Sequence, residues 1–340
     1  MADEILDGYS KEKEPTKYYK SYAWKTAIGL QDVDGLEPSE YLIQTANQNI
    51  NGAISFDEAH ELIVSYYKEN KKRTERSEEA DRVSVRIAQI ISEKSFTFSP
   101  VELTTIHKRL FEDIYTHAGR IRDYNITKSE WVLNGDTVAY GNAINLRETL
   151  EYDLGVEKSF NYKGLSTEEI IPHLARFISN LWQIHIFGEG NTRTTAVFLI
   201  KYLGKLGFNV TNDIFAENSW YFRNALVRAN YNNRAKGVFE TTEYLELFLR
   251  NLLLNEENVL SNRELHIGYT GDPENAEEIS ERDITIMGIL QNNPSITLQE
   301  IADTIGKSLR TVKIAIKSLQ ERDLVERVGG KKNGSWKVKE

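Results

Sequence analysis

The segment His185-Ile-Phe-Gly-Glu-Gly-Asn-Thr-Arg193 gathers an imidazole, a carboxylate, a carboxamide, a hydroxyl and a guanidinium around two glycines. A glycine-bearing turn that runs into a helix leaves backbone N–H groups without acceptors and aims them along the helix dipole, which makes an anion site. Phosphate fits such a site. Arg193 adds a planar cationic fork, Asn191 a neutral donor and acceptor, and Glu189 a carboxylate able to hold a Mg²⁺ that bridges phosphates. His185, at the mouth of the loop, is the one neutral-pH base of the set and could take the proton of a hydroxyl that attacks phosphorus. Taken alone, the same spacing also suits a structural histidine ahead of a glycine turn.

Two helices must hold this loop. Ser166 to Glu169 forms a capping box that opens a helix with Ile170, Leu174, Phe177, Ile178, Leu181 and Trp182 on its buried side, and that helix runs into His185. Gly188 and Gly190 then turn the chain into a second helix from about Thr192. Upstream, Ser99-Pro100 starts a helix carrying Leu103, Ile106, Leu110 and Ile114. Between them the residues turn β-prone: Tyr124 to Ile126 and Trp131 to Leu133, then Asn134-Gly135, a type I′ turn signal, then Thr137 to Tyr140. The pattern predicts a lone β-hairpin over 122–142, marginal by itself and so held for contact with something else.

The chain has 340 residues, enough for two or three domains with a substantial core. Residues 1–20 are charged and aperiodic and read as a flexible tail; 21–72 as short helices broken at Asp34-Gly35 and Asn51-Gly52; 73–260 as the domain that holds the loop; 261–280 as a linker. The rest, 281–340, reads as helix, helix, turn, helix and a basic hairpin, a winged helix-turn-helix. In it Thr297 with Glu300 caps the second helix, Ser308 the third, and Val325 to Val328 pairs with Trp336 to Val338. A net charge of −9 excludes a general grip on nucleic acid or an anionic membrane, so any such grip is local. The absence of cysteine removes disulfides, thiolate nucleophiles and cysteine metal sites. With no apolar leader and no stretch approaching the ~18 apolar residues of a membrane span, a cytoplasmic protein is expected.

The full spacing, H-x-F-x-E-G-N-x-R, resembles the signature of the Fic family, H-P-F-x-(D/E)-G-N-G-R-x-x-R, and the likeness extends from about Ser84 to Leu254. It implies a mainly α, Fic-type helical fold with a β-hairpin flap at 122–142 that holds a target peptide by strand addition. The usual reaction in that family is AMP transfer from ATP to a protein hydroxyl. By the resemblance His185 is the general base, Glu189 the Mg²⁺ ligand, and Gly188, Glu189, Gly190, Asn191, Thr192 and Arg193 cradle the nucleotide phosphates. Phe187 would anchor the loop in the core. Phe222 to Asn230 is similar to the family's aromatic-x-x-A-L-x-x-A-N helix, which implies that Phe222 and Asn230 line the base pocket.

Three departures from the signature are visible. Ile186 replaces proline, Thr192 replaces the second glycine with a hydroxyl small enough to leave the backbone approach intact, and Ala196 stands where the family's second arginine meets the terminal phosphates. The last puts the donor nucleotide in question. Fic enzymes are often held off by a helix with the pattern (S/T)-x-x-x-E-(G/N). The stretch from Trp24 to Glu58 looks like the small VbhA-type antitoxin domain that carries this helix, with Asp34-Gly35 at the Glu-Gly position as regulatory residues. Deletion of this guard is expected to release activity only modestly, because the arginine partner is replaced by Ala196. Ser65-x-x-x-Glu69-Asn70 and Thr270-x-x-x-Glu274-Asn275 also fit the pattern.

Residues 301–340 hold ten Lys and Arg against five acids, a footprint for duplex DNA, with Arg310, Lys313 and Lys317 on the third helix and Lys331 and Lys332 at the wing tip. Dimerisation or partner docking is the other use of such a module. The competing function for the whole chain is a DNA-binding regulator whose Fic domain senses nucleotide without transfer, or a Fic enzyme that uses another donor. A His185 buried away from the flap would favour the sensor.

Overall fold

The structure is a computed structural model and describes residues 15–69, 75–269, 281–305, 307, 309–321, 324–329 and 334–339. The expectations placed on residues 1–14, Asn70, Thr270, Glu274, Asn275, Ser308, Lys331 and Lys332 lie outside these, and of Arg310 only the backbone is described. The chain divides into two compact units, Met1–Lys128 with Val138–Asn258, and Ser129–Thr137 with Val259–Glu340.

The first unit is helical. It comprises α1 (Lys17–Gly29), a 3-10 turn (Leu30–Asp34), α2 (Glu40–Ile50), α3 (Phe56–Glu69), α4 (Glu75–Ser92), α5 (Pro100–Phe111), α6 (Leu146–Ser159), α7 (Thr167–Ile184), α8 (Asn191–Lys205), α9 (Ile214–Glu217), α10 (Ser219–Ala229) and α11 (Glu243–Leu254). The expected Ser166 and Glu169 capping box opens α7. Every residue of α8 from Asn191 to Leu203 is buried, because α4, α5 and α7 pack around it. A helix surrounded on all sides fixes the loop that feeds it. The α1 helix begins at Lys17, inside the stretch read as tail, and packs along α4. Trp24, Leu30, Val33, Leu42 and Ile63 are buried, so the N-terminal helices belong to this unit's core. The 3-10 turn packs against α8 and α10.

The segment 122–142 is not a paired ribbon. Trp131–Leu133 is a 3-10 turn, and no strand flanks Asn134-Gly135. The turn signal itself is realised, since Asn134 and Gly135 both take positive φ, 53° and 83°. The flanks fail because Val132 and Leu133 are both buried, which alternating strand faces cannot provide. The Glu130 carbonyl instead accepts from Leu133 and Gly135 N–H, while Val132 carbonyl accepts from Ile267 N–H at 3.0 Å.

The second unit continues with α12 (Asn262–Leu265), within the stretch read as linker, then α13 (Glu281–Asn292), α14 (Leu298–Ile305), α15 (Leu309–Glu321), β1 (Val325–Val328) and β2 (Ser335–Val338). The strands pair antiparallel with Val325 opposite Val338 and Val328 opposite Ser335. Ile286, Leu290, Ile301, Val312, Ile316, Leu319 and Trp336 form its core. Thr297 and Glu300 exchange the expected capping bonds. No helix among the described residues is long and apolar enough to cross a membrane.

Candidate functional site

His185 caps α7 in the left-handed region, φ 49°, ψ 56°, and is buried. Its Nδ1 lies 3.2 Å from the Trp182 carbonyl, which can only accept, so Nδ1 carries the proton and Nε2 keeps its lone pair. The ring packs against Tyr140 and Trp182, with centroids 4.3 Å and 5.1 Å away. Burial, and next the nearby Lys128 charge, hold the imidazole well below its ordinary pKa and therefore neutral. Buried as it is, His185 touches Tyr140 at the end of the 122–142 segment rather than lying away from it.

The loop after it is stapled from within. Asn191 Oδ1 accepts from Phe187 N–H at 3.0 Å and its Nδ2 donates to Phe187 carbonyl at 2.8 Å. Asn191 is therefore a loop brace rather than the ligand donor that the sequence suggested. Thr192 Oγ1 accepts from Trp182 Nε1 at 3.0 Å, which turns the hydroxyl away from the backbone face. Phe187 stacks on His107 at 3.7 Å. His107 was not singled out in the sequence. Its Nδ1 accepts from Gly119 N–H and its Nε2 donates to Glu189 carbonyl at 3.0 Å. Because a trans peptide sets C=O and N–H in opposite directions, that bond turns Gly190 N–H away from His107. Gly190 takes φ 74°, and a Cβ there would stand 2.4 Å from the Phe111 ring, so only glycine fits. Among the described residues the N–H groups of Gly190, Asn191, Thr192 and Arg193 meet no acceptor. Glu189 is the one exposed side chain of the loop.

The Arg193 guanidinium is not open to a ligand. It is 1% exposed, ion-paired through Nε to Asp34 at 2.8 Å and through Nη2 to Glu79 at 2.6 Å. Nη1 donates to Gln31 at 3.0 Å, and the guanidinium lies over Phe111. Burial alone would lower its pKa; Asp34, Tyr115 and Glu79 outweigh that and keep it charged. The Asp34 contact is close but too bent to count as a hydrogen bond, so Asp34 acts through its charge alone, whereas Glu79 also accepts a hydrogen bond. Asp34 was expected to sit opposite the second-arginine position. Ala196 there is wholly buried, and Asp34 meets Arg193 instead. Arg76 donates to the carbonyls of Asp34 and Gly35, fixing the turn.

Residues 97–203, which carry the loop, both flanking helices and His107, match the Fic/DOC family. This region is a Fic/DOC domain. Residues 279–326 match the winged helix-turn-helix DNA-binding family. A curated protein, the protein adenylyltransferase VbhT of Bartonella schoenbuchensis, is 28% identical over 108 residues, which cover 32% of this chain and 21% of that one. The chain thus spans about a fifth of that relative's length. Among solved structures, the N-terminal FIC domain of Bep8 from Bartonella sp. 1-1C aligns at 18% identity, covering 61% of this chain and 91% of that one with a TM-score of 0.41. A Fic family protein from Desulfovibrio desulfuricans G20 aligns at 10% identity, covering 93% and 87%, also with a TM-score of 0.41.

Beyond the Fic loop the expected positions divide. Phe222 is wholly buried against Phe215 and Phe248, with centroids 5.1 Å and 5.0 Å away, so it is core and not a pocket wall. Asn230 caps α10 and spends Nδ2 on the Ser179 and Leu226 carbonyls, which ties α10 to α7. The Glu189 carboxylate meets Lys128 Nζ at 2.9 Å. Among the described residues no three His, Cys, Asp or Glu cluster as a metal site. One exposed carboxylate fits a Mg²⁺ that takes its remaining ligands from phosphate and water. In the winged helix Lys313 and Lys317 are exposed on α15 as expected.

Proposed function

We propose that the chain transfers AMP from ATP to a hydroxyl of a target protein. The observation that carries this is the state of His185, neutral, with Nδ1–H spent on Trp182 and Nε2 free, at the head of a helix end whose N–H groups lack acceptors. In the step, Nε2 takes the proton of the hydroxyl as its oxygen bonds to the α-phosphorus, and the bond from that phosphorus to the departing pyrophosphate breaks. The N–H groups of Gly190 to Arg193 hold phosphate oxygens where charge develops. Glu189 would hold Mg²⁺ once released from Lys128, and the bound ion would neutralise phosphate charge. The relative's adenylyltransferase activity supports the donor assignment. Intact-mass analysis of the protein with ATP, GTP, CTP or UTP and Mg²⁺ tests it: self-modification by AMP is expected, and another nucleotidyl mass reassigns the donor.

Asp34, with Gly35 shaping its turn, acts in this reading as a guard that withdraws Arg193 from the phosphates, in the manner of the VbhA-type segment. The same closure of Arg193, with Ala196 buried, favours the second reading, a nucleotide sensor without transfer. ATP affinity with no mass gain, both in the wild type and in Asp34→Asn, would select it. In this reading the winged helix binds duplex DNA, with Arg310, Lys313 and Lys317 of its third helix and Lys331 and Lys332 of the wing as the contact residues. Anisotropy with a random duplex pool tests this; Lys331→Ala with Lys332→Ala is expected to lower the salt slope by about one for each phosphate no longer neutralised.

A further inference from the structure

Arg122 belongs to no motif, yet its buried guanidinium uses four of its five N–H donors on backbone carbonyls around His185. Nε donates to His185 carbonyl at 2.7 Å, Nη2 to Gly141 carbonyl at 2.6 Å and Ile184 carbonyl at 3.3 Å, and Nη1 to Tyr124 carbonyl at 2.5 Å. Its own N–H donates to Ile186 carbonyl at 2.9 Å. Two of these acceptors, Ile184 and His185, belong to the C-terminal end of α7, where a cation is favoured by the helix dipole. The other two stand near the ends of the 122–142 segment. A planar fork reaches all four at once; a lysine ammonium has three donors on a single point and cannot. His185 needs such a hold, because a residue with a Cβ takes φ 49° only where its surroundings impose it. Gly141 is pressed so closely on α7 that a Cβ would stand 2.8 Å from Ile184 carbonyl, and the residue before it, Tyr140, packs on the His185 ring.

We infer that Arg122 is a positioning residue for the transfer step: one guanidinium fixes the backbone conformation that aims His185 and clamps both ends of the 122–142 segment to the same helix end. The inference rests on the reading of His185 as general base. Its test uses the full chain with Arg122→Ala and Arg122→Lys. A displaced base costs on the order of 100-fold, so Arg122→Ala is expected to lose about that in kcat while its ATP affinity changes by less than about threefold, since the Gly190 to Arg193 cradle does not touch Arg122. Added guanidinium is expected to restore part of the alanine variant's rate, and Arg122→Lys to stay slow despite its charge. A second readout needs no activity: trypsin is expected to cut after Lys128 faster in Arg122→Ala than in wild type. If the wild type transfers no nucleotide, the reading of function fails while the trypsin comparison still decides the clamp. Equal losses of affinity and rate, unchanged trypsin cleavage, or unfolding of both variants overturns the inference in favour of a merely structural arginine.

Discussion

The loop from His185 to Gly190 joins two helix ends that the chain treats in opposite ways. At the C-terminus of α7, the Trp182 carbonyl receives His185 N–H and Nδ1–H, the Gln183 carbonyl receives Gly141 N–H, and the Ile184 carbonyl receives Arg122. At the N-terminus of α8, four successive N–H groups receive no partner among the described residues. Both ends are buried, and burying a polar backbone group without a partner is costly. The satisfied end is therefore frame, and the unsatisfied end is shaped for a ligand that brings its own acceptors. His185 belongs to the satisfied end and spends only its Nδ1–H there. The proposed base and the proposed cradle are thus built by different means, and substitutions can separate them.

The largest expected separation is His185→Ala. Loss of a general base costs ~10²- to 10⁴-fold in rate, whereas ATP affinity, which depends on the other helix end, should stay nearly unchanged. Label transfer and calorimetry on the purified variant check both numbers. Retained transfer would remove His185 from the mechanism, and a parallel loss of affinity would mean that the two helix ends are not independent.

The parts legible in the sequence are those that local chemistry decides. Capping residues announced the helices at Ser166 and Thr297, glycine turns appeared at Gly35, Gly52 and Gly135, and apolar spacing gave both the α7 face and the winged-helix core. Local propensity misled at Trp131–Leu133, where consecutive burial requires a turn although the residue types favour a strand. Partners distant in sequence left no mark. Nothing in the spacing says that Arg122 reaches α7, that Glu79 and Asp34 share Arg193, or that Phe222 turns to Phe248 rather than to a nucleotide. Asn191 shows the same limit within the motif itself: its residue type suits ligand binding, and only the fold shows both its polar atoms closed on Phe187.

Between the two helix ends, His107 holds the Glu189 peptide, and its titration gives the next largest effect. Burial lowers its pKa from 6.5 to about 4. The unfolded chain therefore binds the extra proton at higher pH than the folded one does, and stability rises with pH through that window. The contribution is complete above about pH 6.5 and is lost as pH falls toward 4. At ~1.4 kcal/mol for each tenfold change in proton affinity, the loss is on the order of a few kcal/mol. Denaturant midpoints of the wild type and His107→Gln at pH 7 and pH 5 measure it, since glutamine keeps a donor for Glu189 carbonyl but does not titrate. The wild type should lose more stability between those pH values than the variant. Equal losses would mean that folded His107 takes up its proton at the same pH as the unfolded chain, so that its burial does not hold it neutral.

The smallest effect concerns what covers the unsatisfied end. Arg193 stands in the first turn of α8, and its two carboxylate partners differ: the Asp34 side chain is 35% exposed and its contact is bent, while Glu79 is 18% exposed and also accepts from Tyr115 at 2.7 Å. Replacing Asp34 leaves Glu79 and Gln31 on the guanidinium, so Asp34→Asn should raise the initial transfer rate by no more than ~5-fold. This agrees with the modest release expected from the sequence, although the partner is Arg193 and not the position of Ala196. Point substitution is the cleaner experiment, because deleting residues 1–72 would strip Trp24, Leu30 and Leu42 from the core. Glu79→Gln should release more, and the double variant should depart from the product of the single effects, since both carboxylates act on one guanidinium. Initial rates of the four proteins at matched concentration decide the matter. A drop in rate on either substitution would show that the carboxylates hold Arg193 for the donor and do not withhold it, and the guard would then have to act elsewhere, with Glu69 on α3 the next residue to replace.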